Sequence, residues 1–431
     1  VVTARLPAVA LVLLVVLSAC AGDADPTTSP SRGGAASPSS DAPLQPSGSG
    51  QPAPSLDPSV PPSAGSSAQP EPTPDPRVES ALAQLDTDEA LIGQLLMIGW
   101  PGRSSDGARE PIETLRPGAI VYVLANADTA ERATAINVGL DGVAHGAGIL
   151  PLLKAIDHEG GGIQRIGDVE NLGSNLAFAE GRPSDHDACQ RGAVHARQLR
   201  TMGFDMNLAP VLDVNTNPDN PVIGPRSFGS RPQLVARLGS AYIRGLQSGG
   251  IVAVGKHFPG HGDTSVNSHL GLPVLEVGRR RLDTVELVPF ERAIAPDTGL
   301  AAVMTAHVAL PRIDPSGLPA TVSEPIIGGI LRDDLGFDGL VLTDDLGPGM
   351  AAVTDALPPG DAAVASLKAG VDMLMVIGDR ERQTIMRDAL LAALISGELP
   401  RERVIDAVRH ILTAKARAGL LGGEPAMVPG C

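Results

Sequence analysis

Eight short, continuously apolar runs recur between residues 95 and 377, separated by segments of helical length, and this rhythm limits the fold more than any single motif. The runs are LLMIGW (95–100), AIVYVLA (119–125), LLKAID (152–157), FDMNLAP (204–210), IVAVGKH (251–257), AAVMTAH (301–307), GLVLTD (339–344) and DMLMVI (372–377). Strands that are apolar on both faces must be covered on both faces, as in a parallel sheet with helical crossovers. The intervening segments, such as RPQLVARLGSAYIRGLQSG and RRRLDTVELVPFERAIA, carry apolar residues at helical spacing. Eight such units over roughly 340 residues predict an α/β fold, a single-domain (β/α)8 barrel of the TIM type. A doubly wound open sheet is the alternative. The segment RERVIDAVRHILTAKARAGLL is expected to close the outer ring of helices.

Aromatic residues make up only 2 % of the chain, so the core must be built from Ala, Val, Leu and Ile. A formal charge of −16 and the absence of a basic stripe argue against nucleic acid as a partner. The three cysteines, Cys20, Cys189 and Cys431, form neither a disulfide framework nor a zinc-ligand spacing. Cys189 is expected to be inert in a helix and Cys431 exposed. Residues 1–19 carry one arginine and the apolar stretch Leu6 to Leu17, the pattern of a signal peptide. The small residues Ser18 and Ala19 before Cys20 resemble the lipobox of bacterial lipoproteins, which implies cleavage before Cys20 and its acylation. Residues 20–78 are rich in Pro, Ser, Gly and Ala, a composition that cannot bury enough apolar area to order itself. They read as a disordered tether, followed by a folded domain over 79–425 and a tail over 426–431. The expected location is the outer face of the bacterial cell membrane, with the lipid anchor as the only membrane contact.

A barrel makes a demand on the sequence: functional groups belong at the C-terminal ends of strands. The polar residues fall there. Asp157 and Glu159 follow the third run, Asn207 and Asp213 flank the end of the fourth, Lys256 and His257 end the fifth, His307 ends the sixth, and Asp344 and Asp345 end the seventh. Carboxylates and imidazoles converging without metal-ligand spacing suggest acid–base or covalent chemistry, with glycoside hydrolysis a natural candidate.

Four motifs carry a more specific resemblance. KHFPGHGDT followed by SH, GFDGLVLTDDL, AIDHEGGGIQRI and DVNTNPDNPVIGPRSFG stand in order over about residues 85–420. Together they resemble family 3 glycoside hydrolases, and among these the bacterial β-N-acetylglucosaminidases that act on cell-wall fragments. The resemblance implies that Asp344 is the nucleophile of a retaining enzyme. It further implies that Asp157, Arg226, Lys256 and His257 bind the sugar, and that His269 on the loop after the fifth strand is the acid/base. Many family members take their acid from a second domain. Here the 87 residues after Asp344 are expected to be used up by the eighth strand and closing helices, so the barrel itself must supply it. An imidazole titrates near neutrality and can both give and take a proton.

The chain departs from that subfamily at one point: the usual Asp-Ser-His of the loop reads Asn267-Ser268-His269. An amide can hydrogen-bond the ring but brings no charge. Asp263 would replace the charge if the loop folds back onto His269. His307 is expected to line the site without chemistry. The expectation is a monomeric exo-β-N-acetylglucosaminidase acting on a GlcNAc-containing glycan, with no metal or organic cofactor. Two alternatives stand beside it: a phosphorylase, because an imidazole acid repels an anionic acceptor less than a carboxylate does, and a weakly active or inactive glycan-binding lipoprotein.

Overall fold

Each of the eight apolar runs contributes one parallel strand in the computed structural model, which describes residues 75–123, 126–426 and 429–431. The strands are β1 (Leu96–Ile98), β2 (Ala119–Tyr122), β3 (Leu153–Ile156), β6 (Met206–Asn207), β7 (Val252–Phe258), β8 (Ala302–Thr305), β9 (Leu340–Leu342) and β10 (Leu374–Val376). A short hairpin not foreseen in the sequence, β4 (His158–Gly160) with β5 (Ile163–Gln164), follows β3. The sheet runs β10-β1-β2-β3-β6-β7-β8-β9, with its outer strands joined by the Leu342–Met373 bridge and by the Thr343 N–H donating to the Met373 carbonyl at 3.0 Å. This is the (β/α)8 barrel, and the open sheet is excluded.

The strands are shorter than the runs because the ends of the runs leave the ladder. Asp157 stands one residue past β3, while His307 and Asp344 stand two past β8 and β9. The expected signal peptide, Cys20 and most of the tether lie outside the described residues. The tether boundary moves: Asp75 accepts from the Arg77 amide and caps a helix over Pro76–Leu82. Asp-Pro reads as linker by composition but is also a helix start, with the cap and the N1 proline in place.

The aromatic-poor core is packed by aliphatic and alanine side chains, with edge-to-face contacts of Trp100, Tyr122 and Phe204 at 4.9 and 4.7 Å and of Phe258 with Phe290 at 5.2 Å. The helices Asp185–Thr201 and Pro232–Ser248 approach so closely that a Cβ at Gly192 or Gly245 would overlap the carbonyl of Tyr242 or Cys189. Only glycine permits that contact. Cys189, on the first of these helices, forms a disulfide with Cys431. This corrects the expectation that Cys189 is inert, while Cys431 is exposed as expected. The partners are 242 residues apart, so no spacing rule could pair them.

The N-terminal ends of the strands carry their own polar groups. Asp372, buried just before β10, accepts from Arg332 at 2.7 Å, Arg403 at 2.9 Å and the Val341 amide at 2.8 Å, with His410 Nδ1 3.1 Å away. Burial pushes its carboxyl up, but His410, Arg332 and Arg403 outweigh this and hold it down to about 2. Its contribution is therefore full above its ordinary value of 3.8 and lost as pH falls through 2. Asp372→Asn leaves two guanidinium groups facing a neutral amide. Urea denaturation at pH 7 is expected to show a loss of about 3–5 kcal/mol.

Candidate active site

β3 and the hairpin β4 form one extended segment, so Asp157 and Glu159 project to the same side and His158 to the other. Asn207, at the end of β6, fixes this peptide: its amide oxygen accepts from the His158 N–H at 3.1 Å, and its amide N–H donates to the His158 carbonyl at 3.0 Å. β7 delivers Lys256 to the two carboxylates. Its ammonium donates to Asp157 Oδ1 at 2.5 Å and lies 2.8 Å from Glu159 Oε1. Arg226, on the loop after β6, meets Glu159 with both arms of its fork, Nε at 3.0 Å and Nη2 at 2.8 Å. Arg165 reaches Asp157 at 3.4 Å.

The side chains of Lys256 and Glu159 are almost fully buried, whereas Asp157 keeps 29 % of its exposure. Burial pushes the Glu159 carboxyl up, but Lys256 and Arg226 outweigh it and hold it down to about 2. Asp157 is likewise lowered: burial and Glu159 raise it, and Lys256 and Arg165 more than compensate. Both carboxylates are thus ionised and saturated by cations. They can accept hydroxyl protons in hydrogen bonds but make poor nucleophiles. Lys256 spends two of its three donors on them and keeps one.

His257, next along β7, directs Nδ1 to Asp213 Oδ2 at 2.7 Å, and its Nε2 lies 3.5 Å from Arg226 Nη2. Asp213 also accepts from the His261 N–H at 2.7 Å. The sequence placed Asp213 near a strand end without assigning it a task. Its partners lie 44 and 48 residues away, and only the β6–β7 pairing brings them together. His261 hydrogen-bonds Thr264 at 2.7 Å and belongs to the turn.

Asp344, after β9, differs from the cation-bound carboxylates Asp157 and Glu159. Its Oδ1 accepts from the Asp345 amide at 2.7 Å, and among the described residues no cationic side chain hydrogen-bonds to it. Burial raises it, but the fields of His257 and His307, the Asp345 amide and Lys256 prevail and hold it ionised. Asp345 is a turn residue: its Oδ1 accepts the amides of Gly347 and Ile377, both at 2.8 Å. Burial pushes it up to about 7, with Asp344 adding to the rise against those two amides. His307 accepts or donates to Thr321 at 2.7 Å through Nδ1 and donates from Nε2 to the Asp345 carbonyl at 2.9 Å. It buttresses the Asp344–Asp345 turn and has no free nitrogen for a reaction.

His269 is not part of this cluster. It is exposed, beside the exposed Leu270, on a loop whose Ser268 carbonyl accepts from Ala352 at 3.1 Å. Among the described residues, its ring hydrogen-bonds only to Asn267, whose Oδ1 lies 2.9 Å from Nδ1 and 3.0 Å from the His269 amide. An amide oxygen accepts only, so this contact places the proton on Nδ1 and leaves Nε2 facing outward. Asp263 does not fold back onto the ring. Its carboxylate accepts from Thr216 at 2.6 Å and lies 3.9 Å from Arg281, so its charge is taken up there. A cavity of about 220 Å³ opens beside the clamp, lined by Glu159, Gly162, Ile163, Asn175, Val222 and Arg226 among others.

A parallel barrel whose mouth holds one ionised carboxylate without a bonded cation, next to a charged polar clamp, is the arrangement of barrel enzymes that cleave glycosidic bonds. The family model described as glycosyl hydrolase family 3 N terminal domain matches residues 87–414, and the chain belongs to glycosyl hydrolase family 3. It is 33 % identical over 370 residues to beta-hexosaminidase A of Pseudoalteromonas piscicida, covering 77 % of this chain and 61 % of that protein. The structure resembles a family 3 beta-N-acetylglucosaminidase from Paenibacillus sp. str. FPU-7, with TM-score 0.75 and 41 % identity over 78 % of this chain and 64 % of that one. The chain thus spans somewhat under two thirds of these two relatives. It also resembles a beta-N-acetylhexosaminidase from Beutenbergia cavernae, with TM-score 0.70 and 29 % identity, covering 77 % of this chain and 98 % of that one.

The clamp is tested by removing its shared cation. Lys256→Met leaves Asp157 and Glu159 buried against each other and is expected to lower unfolding free energy at pH 7 by about 3–5 kcal/mol. The stranded carboxylates then bind protons more readily, so part of the loss returns between pH 7 and 5. In the wild type Glu159 is held at about 2, so its contribution is constant above its ordinary 4.5 and shows no such recovery.

Proposed function

We propose that the chain is a retaining exo-β-N-acetylglucosaminidase that removes a terminal GlcNAc from peptidoglycan-derived fragments. The observation that carries this reading is Asp344: ionised, at a strand end, and without a bonded cation among the described residues. The names of the three relatives support the sugar class, and the resemblance to cell-wall glucosaminidases supports the glycan.

The reaction proceeds in two steps. Asp344 attacks the anomeric carbon as the glycosidic C–O bond breaks, and a proton passes from His269 to the leaving oxygen. His269 then takes a proton from water, whose oxygen displaces Asp344 and frees GlcNAc. The Nδ1–H contact to Asn267 makes Nε2 the nitrogen that carries this proton. Since His269 is exposed and makes no contact with the clamp, its loop must close over the bound sugar in each cycle. Asp157 and Glu159 accept hydrogen bonds from sugar hydroxyls, and Lys256 and Arg226 hold both carboxylates in place. The disulfide Cys189–Cys431 supports an exported protein, because such bonds persist in oxidising compartments. Anchoring through an acylated Cys20 at the outer face of the membrane completes the reading.

One observation favours a second acceptor. The acid/base pair His269–Asn267 carries no carboxylate, so phosphate can approach it with less repulsion than in a dyad with Asp.

A chromogenic GlcNAc β-glycoside and a GlcNAc-MurNAc disaccharide are expected to be hydrolysed, a β-glucoside much less. Asp344→Asn is expected to lower turnover by about 10³-fold or more with the fold intact. If it does not, the nucleophile is elsewhere; if the wild type is inert, the chain is a glycan-binding protein. Sugar 1-phosphate formed on adding phosphate would establish the phosphorylase. Asn267→Asp is expected to raise turnover by about tenfold, well below the ~10⁴ that the converse change costs a serine-protease triad. No gain in this variant means that the ring needs only the acceptor, which the amide already supplies.

A further inference from the structure

Between Asp157 and Glu159 the segment turns His158 inward, where its ring is fully buried against the helices Asp185–Thr201 and Pro232–Ser248. It meets His195 edge to face at 5.2 Å, and His195 Nδ1 lies 2.5 Å from the Tyr242 hydroxyl. Burial keeps the phenol protonated. That hydroxyl donates to Nδ1 or accepts from it according to the imidazole tautomer, and in either case Nε2 of His195 is left without this partner. Among the described residues, neither nitrogen of His158, nor Nε2 of His195, has a hydrogen-bond partner, and all three are buried. Gln198 approaches the His158 ring without hydrogen-bond geometry. Buried polar atoms are normally paired, and where protein supplies no partner an ordered water does.

We propose that His158, His195 and Tyr242 are positioning residues: a hydrogen-bonded chain, completed by buried water, that seats the peptide bearing Asp157 and Glu159 and so holds both carboxylates for the sugar. The inference rests on the reading of those two carboxylates as sugar-binding groups. Two anchors then act on one peptide from different directions, Asn207 on its backbone and the imidazole chain on its central side chain.

The anchor is sensitive to charge. His158 faces His195, Gln198 and Arg165, and around His195 and Tyr242 stand Arg191 and Glu159. Arg191 donates to the carbonyls of Leu172 and Gly173 and has no carboxylate partner among the described residues. Glu159 is turned away and already held by two cations. An imidazolium in this pair would thus meet Arg165 at His158, or Arg191 at His195, without a counter-ion. Burial, with Arg165 assisting and Gln198 opposing, holds His158 down to about 4, and burial, His158 and Arg191 lower His195 further below its ordinary range. Because both folded values lie below 6.5, the anchor is complete above that pH and weakens as pH falls toward 4.

KM and kcat for the chromogenic GlcNAc β-glycoside, measured from pH 7 to 4.5, test this. His158→Leu is expected to raise KM at pH 7 about tenfold with kcat within about threefold. His158→Gln, which hydrogen-bonds without titrating, is expected to restore KM to within about threefold. The rise of wild-type KM as pH falls toward 4 flattens in both variants. A folded His158→Leu with wild-type KM and an unmoved acid limb overturns the proposal. If that variant does not fold, Tyr242→Phe decides: a raised KM supports the chain, and an unchanged KM and acid limb overturn it. If the wild type itself fails to turn over, the proposed function falls, and amide hydrogen exchange still tests the anchor. Protection of residues 157–160, corrected for intrinsic pH dependence, should drop between pH 7 and 5 in the wild type but not in His158→Gln; equal behaviour of the two overturns it.

Discussion

The ammonium of Lys256 stands between two carboxylates that would otherwise repel each other out of the barrel mouth. β7 carries the cation, the segment after β3 carries Asp157 and Glu159, and the loop after β6 adds Arg226. One cluster therefore ties three successive barrel units at their C-terminal ends. Buried charges persist only when compensated, and here compensation fixes position as well as charge. It also singles out Asp344. Once the cations are committed to Asp157 and Glu159, and Asp213 is committed to His257 and His261, Asp344 is left ionised within the field of Lys256 without being bonded to it. A nucleophile needs that condition: charge is stabilised, yet a lone pair stays available.

The barrel and the position of its mouth were legible in the sequence because both depend on short-range patterns. A continuous apolar run marks a covered strand, and the polar residue ending it marks the catalytic end. Asp157, Lys256, His257, His307 and Asp344 all follow from that rule. What escaped depends on distance along the chain or on what a side chain faces. The pairing of Cys189 with Cys431 spans nearly the whole domain. Asp213 acquires its task only when β6 and β7 lie side by side. His158 looked like a motif neighbour of two carboxylates, and only the alternation of an extended strand turns it into the interior. The hairpin β4–β5 is too short, and too glycine-rich around residues 160–162, to show a strand pattern.

Position 267 shows how much a hydrogen bond can replace. Asn267 brings no charge to His269, but its carbonyl oxygen occupies the place where a carboxylate oxygen would accept from Nδ1, and the same atom also caps the backbone turn. Orientation and tautomer are set by geometry, whereas the stabilisation of an imidazolium is set by charge. The two contributions, fused in an Asp–His dyad, are separated in this chain.

The two ends of the barrel hold unrelated polar networks. At the N-terminal ends, Asp372 is locked by Arg332 and Arg403, and the buried Lys415 side chain, which burial pushes down to about 7, donates to Gln94 at 2.7 Å. At the C-terminal ends stand the clamp and Asp344. No ion pair among the described residues connects one network to the other. Each network can therefore be weakened by itself: a change at Asp372 loosens one end of the barrel and a change at Lys256 the other, with no ion pair to pass the loss between them. Asn267 belongs to neither network, so an amide in place of a carboxylate there leaves the charges that hold both ends of the barrel where they are.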